Sequence, residues 1–124
     1  MTGAAPRATR RDAVGVDGVL AALADPTRRA VFEAVVHGGP TTATGLAREF
    51  PVSRQAIAKH LDRLADAGLV SSNRSGRETQ WQASLEPLSA ARSWMDEIGA
   101  AWDQRLAALA ARLDRRDATE RTNR

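Results

Sequence analysis

Between Thr42 and Gln82 the sequence runs through two short helical patterns, a tight turn and a basic hairpin in immediate succession. The second helical pattern constrains the chain most. Ser53 announces it, and Ile57, Leu61 and Leu64 form an apolar stripe at steps of three and four residues. A stripe of that period fastens a helix to a core and leaves the opposite face free to meet something else. On that free side stand Arg54, Gln55 and Lys59.

The surrounding punctuation sets the rest of the order. Val16, Val19, Leu20 and Leu23 predict a first helix over 17–24, packed inward. Asp25-Pro26 then stops and restarts the chain, because Asp caps a helix well and Pro needs no N–H at the first helical position. A second helix is expected from Pro26 to His37, ending at Gly38-Gly39. Thr42 or Thr44 caps a third, short helix containing Leu46, Ala47 and Phe50, and Pro51-Val52 makes the turn. The fourth helix begins at Ser53 and stops at Gly68. Two strands are expected over 69–71 and 79–83, joined through Asn73-Arg74-Ser75-Gly76, with Trp81 anchoring the hairpin.

A last helix is predicted over 86–113, where Leu88, Ala91, Met95, Ile98, Trp102, Leu106, Leu109 and Leu113 recur at three and four. It would be roughly 42 Å long, more than a domain of this size covers by itself. Trp94 and Trp102 are anchors of the kind interfaces favour. Pairing of this helix with a second copy of the chain is therefore expected. Residues 1–15 read as a disordered arm and 114–124 as a charged, frayed tail, leaving 16–113 as one domain.

This order defines a mainly α fold with a small β-hairpin wing, a winged helix-turn-helix. Its recognition helix enters the major groove with the N-terminal residues nearest the bases. Those are Arg54, Gln55 and Ala58, with Lys59 one turn on. Arginine can pair with guanine O6 and N7, glutamine with adenine N6 and N7, and a small side chain can lie against a thymine methyl. Ser53, Thr42 and Thr44 open helices whose free N–H groups suit phosphate. Arg63 fits phosphate contact or simple balance of Asp62 and Asp66. Arg74 and Arg77 lie at the tip and base of the hairpin, within reach of a neighbouring minor groove or backbone. His60 fits either a packed, hydrogen-bonded position or a phosphate contact.

Composition narrows the alternatives. The net charge is only +3, so the placement of the cations carries more weight than their sum. Cysteine is absent, which removes disulfides, thiol redox sensing and thiolate metal sites. No apolar run approaches the ~20 residues that span a bilayer, and Met1 to Arg11 lacks the apolar core of a signal peptide. A soluble cytoplasmic protein is expected. With no phosphate-cradling glycine loop and no arguable histidine–carboxylate pair, an enzyme is not.

The stretches "LADPTRRAVFEAV" (23–35), "VSRQAIAKHLDRLADAGLV" (52–70) and "RSGRETQWQ" (74–82) resemble the ArsR/SmtB family of winged-helix bacterial repressors. The likeness runs on through "LEPLSAARSWM" and "WDQRLAAL", covering 20–113. It implies a homodimer built from the first and last helices, which adds Leu20 to the dimerising set, bound to an imperfect palindrome of double-stranded DNA in or near a promoter and usually repressing it. It also places Ser53, Arg54, Gln55, Lys59 and His60 in the DNA-recognition helix and Arg74 and Arg77 in the wing. One departure matters. Founding members sense metals through a Cys-x-Cys pair in the third helix or Asp and His ligands in the last. Here those third-helix positions are Thr42 and Thr44, and no histidine follows His60. Hydroxyls replace thiolates poorly. No metal and no cofactor are expected; a small organic ligand, a partner protein or no effector at all fits a member lacking the metal residues. The competing reading is a protein-interaction module that keeps the winged scaffold without reading DNA.

Overall fold

A computed structural model describes residues 5–123, with side chains from Gly15 onward. Two compact units emerge, one ending at Ala91 and one beginning at Arg92. The first holds α1 (Ala5–Ala24), α2 (Pro26–Gly38), β1 (Thr41–Thr42), α3 (Ala43–Ala47), α4 (Arg54–Asp66), β2 (Val70–Ser75), β3 (Glu78–Ala83) and the start of α5 (Glu86–Thr122). The second is the remainder of α5.

Helix α1 is broken at Gly15, where φ is 43° and ψ is −143°. Glycine reaches that left-handed region without the clash a Cβ would bring. The predicted helix over 17–24 is the segment after the break. Upstream, where an irregular arm is expected, the backbone is helical from Ala5, in a stretch rich in the good helix formers Ala and Arg. Residues 1–4 of that expected arm lie outside the described residues. Val19 is fully buried as expected, but Leu20 is exposed and Ala22 takes the inward position.

Helix α2 starts as its sequence predicts. Asp25 Oδ2 accepts the Arg28 amide at 2.8 Å, and Pro26 fills the first turn. That amide holds the Asp25 carboxyl below its ordinary value, with further help from the nearby charges of His60 and Arg28. At the other end Gly39, at φ 77°, returns its N–H to Val35 O.

One core serves the first unit. Val31, Phe32 and Val35 of α2 meet Leu46 of α3 and Ile57, Leu61 and Leu64 of α4. Leu69, Val70, Trp81 and Ala91 close it. Burying each large side chain contributes about 1.5–3 kcal/mol. The exit from α4 is a double-bonded cap: Gly68 N donates to Ala65 O and Leu69 N to Leu64 O, both at 2.9 Å. Leu64 and Leu69 are both fully buried, supplying the apolar contact such caps carry. Gly68 has φ 77°, and a Cβ there would also stand 3.2 Å from Pro87.

The sheet is antiparallel in the order β1-β3-β2. Strand β1 has no counterpart in the sequence reading: two threonines give too short a pattern to register as a strand. They pair with Trp81 and Gln80 on the free edge of β3. The hairpin turn also differs from its expected position. Ser75 pairs with Glu78, so Gly76 and Arg77 form a two-residue loop and Arg74 lies within β2 opposite Thr79. Gly76 has φ 63°, which suits the first central position of the turns that match strand twist. Arg77 is therefore at the tip, and Arg74 is set back from it.

Candidate nucleic-acid interface

Helix α4 presents the candidate recognition surface because its other side is committed to the core. Ile57, Leu61 and Leu64 have no exposed surface at all. Arg54, Gln55, Lys59 and Arg63 are exposed. Ser53 is extended, and its Oγ accepts the Ala56 amide at 3.1 Å. One first-turn N–H is thus satisfied and its neighbours remain available. Ala58 and His60 are half-buried.

Thr42, not Thr44, caps α3. Its Oγ1 accepts the Gly45 amide at 3.0 Å, and its backbone is extended because it also belongs to β1. Gly45 allows this close fit, since a Cβ there would lie 3.1 Å from Thr41 Oγ1 and 3.3 Å from Thr42 Oγ1. Thr44 sits within α3 and is exposed.

These elements enclose one cleft. Thr42 lines it from the end of β1 and Thr44 from α3, Arg54 and Ala58 from α4, and Arg77 from the hairpin tip, with Trp81 among the walls. Arg54 and Arg77 are thus brought to one concavity from residues far apart in sequence. Arg74 and Arg63 are exposed but outside it. The Arg74 guanidinium donates to Gly76 O at 3.4 Å, across its own turn. Sequence reasoning missed Glu78 and Thr79, which also line the cleft. Period-two alternation was the available signal: Thr79 lies two residues before Trp81 and so shares its face. Glu78 adds a carboxylate to the lining that Arg54 and Arg77 share, where it opposes phosphate and can accept from a cytosine amino group.

The expected dimerising residues divide. Ala91 is 3% exposed and belongs to the first unit's own core, with Leu88 packed against it. Neither is free as expected, because the first turns of α5 are already used within the chain. Met95, Ile98, Trp102, Leu106 and Leu109, with Leu113, are 47–57% exposed. Among the described residues no group of three or more His, Asp and Glu could hold a metal ion, and no helix is long and apolar enough to cross a membrane.

A short helix, a turn, a cationic helix and a flanking two-stranded wing make this a winged helix-turn-helix protein, and residues 23–73 match a family model described as a helix-turn-helix domain. Over 98 residues the chain is 38% identical to the HTH-type transcriptional regulator Rv2034 of Mycobacterium tuberculosis, spanning 79% of this chain and 88% of that one. It is 31% identical over 80 residues to the transcriptional repressor SdpR of Bacillus subtilis, covering 64% and 88% respectively. An ArsR-like transcriptional regulator from Rhodococcus sp. RHA1 superposes with a TM-score of 0.67 at 42% identity, over 76% of this chain and 88% of that one. The chain belongs to the ArsR family of winged-helix transcriptional regulators. It is a DNA-binding regulator and not an enzyme.

Proposed function

We infer that this regulator is a homodimeric repressor that binds a palindromic operator in the cytoplasm, using residues 16–113 as its working domain. The observation that carries the reading is the cleft where Arg54 at the start of α4 and Arg77 at the wing tip converge. Arg54, Gln55 and Ala58 read base edges. Ser53, Thr42 and Thr44 receive phosphate, and Lys59, Arg63, Arg74 and Arg77 hold the backbone. His60, half-buried on the same helix, packs beside this surface or meets a phosphate. Two copies meet through Leu20 of α1 and the exposed α5 stripe, which supports a self-complementary contact. Repression is the activity named for the Bacillus relative. Metal does not regulate it.

Selection of bound sequences from a random duplex pool, with untagged protein at about 150 mM salt, tests this reading. An enriched inverted repeat is expected. No enrichment from folded dimer would refute it and favour a partner-binding module.

A further inference from the structure

Helix α1 ends without a cap of its own. Only Asp25 separates it from α2, which leaves no space for a terminal glycine. The last carbonyls of a helix have no intrahelical donor and must find one elsewhere. Here the first turn of α2 reaches back to supply it. Arg28 Nε donates to Ala22 O, and its Nη2 donates to Ala21 O at 3.2 Å. Arg29 Nη1 donates to Leu23 O at 2.8 Å. Three successive carbonyls are taken by two guanidinium groups, whose charge also suits a helix C-terminus. In return, Asp25 Oδ2 and Asp25 O accept the backbone amides of Arg28 and Arg29 at 2.8 and 2.9 Å.

Arg28 is also a neighbour of α4. It lines a shallow cleft with Gly18 and Ala21 of α1 and with Arg63 and Asp66 of α4's last turn. The guanidinium therefore stands where α1, α2 and the recognition helix meet. Apolar packing by Val19 and Ala22 holds α1 against the core. Such packing is non-directional and tolerates small rolls and slides of a helix. Hydrogen bonds to three consecutive carbonyls are directional, and they fix both roll and tilt.

We propose that Arg28 and Arg29 are positioning residues for operator binding, a clamp that sets the angle between α1 and α2 and, through the core α2 shares with α4, the attitude of α1 to the recognition helix. The inference rests on the dimeric reading above, in which α1 presents the exposed Leu20 to a second copy. In that assembly the roll of α1 sets the separation of the two recognition helices, and so the half-site spacing the dimer accepts.

Arg28→Lys/Arg29→Lys tests it, because lysine keeps the charge and loses the planar fork that spans two carbonyls. The probes are the inverted repeat recovered by selection, the same repeat with its spacer changed by one or two base pairs, and a single half-site duplex. Thermal unfolding provides the control for folding. The double variant is expected to bind the half-site like wild type. Its preference for the full repeat should fall by about tenfold, the weight of roughly one net hydrogen bond. Its discrimination among spacers should flatten. An unchanged full-to-half-site ratio with unchanged spacer preference would overturn the clamp. Proportionate loss on both duplexes would overturn it too, by showing a merely structural role. Wild type without preference for the repeat over the half-site would sink the dimeric reading itself, a distinct failure.

Discussion

Arg54 and Arg74 carry the same charge but stand differently toward a duplex. Arg54 opens the recognition helix and lines the cleft, whereas Arg74 lies on β2, set back from the hairpin tip. Arg54→Ala should therefore cost about 1–3 kcal/mol on the selected operator and much less on random duplex. Arg74→Ala should weaken both together. Fluorescence anisotropy on the two duplexes separates these cases; equal damage from Arg54→Ala would remove it from base reading. Ser53→Ala is expected to lower the protein's stability by about 0.5–2 kcal/mol, read by urea unfolding without DNA, because Ala56 loses its capping partner. Caps such as Asp25 and Ser53 were legible in the sequence because donor and acceptor are three residues apart. Thr42 and Thr44 could not be ranked, since each offers the same hydroxyl; pairing of Thr42 with Gln80 decides it. The Arg28 and Arg29 bonds were not legible either. Their acceptors lie on the previous helix, and only the angle between helices brings them within reach.

Elements whose period shows in the sequence formed where expected in α2 and α4, while α3 stops at Ala47 and leaves Phe50, expected within it, in the following turn. The hairpin was visible as a hairpin, but its register was not. A glycine in a polar run marks a turn without saying which two residues occupy it, and the pairing of Ser75 with Glu78 settles that. Helix α5 runs to Thr122, beyond the expected end at 113, because the apolar stripe stops there while helix formers continue. An exposed Arg116–Glu120 pair at 3.6 Å, one turn apart, adds a few tenths of a kcal/mol there. From Met95 to Leu113 the stripe advances at the helix's own repeat, so it stays on one side of a straight rod. On the proposed dimer, Ile98→Asp should weaken self-association by about 10–100-fold, the equivalent of one large buried side chain. Sedimentation equilibrium measures this; an unchanged dissociation constant would exclude Ile98 from the contact.

For the molecule as a whole, charge placement outweighs charge total. A net charge of +3 gives little general attraction to a polyanion, while Arg54 of α4 and Arg77 of the wing are brought to one cleft of the first unit. If the dimer meets about 6–10 phosphates, operator affinity should drop by roughly 10³–10⁵ between 50 and 200 mM salt. A titration across that range checks it, and a flat response would mean that the basic surface does not face the backbone. The tryptophans have a further consequence. Trp81 is sealed at 9% exposure, whereas Trp94 and Trp102 stand 42% and 57% open along α5. Light absorbed by the protein is thus re-emitted from one dry indole and two wet ones. Any event that covers the α5 stripe dries only the wet pair, moving the emission toward the blue and shielding it from dissolved quenchers. The chain carries its own optical gauge of assembly, with a built-in reference in Trp81.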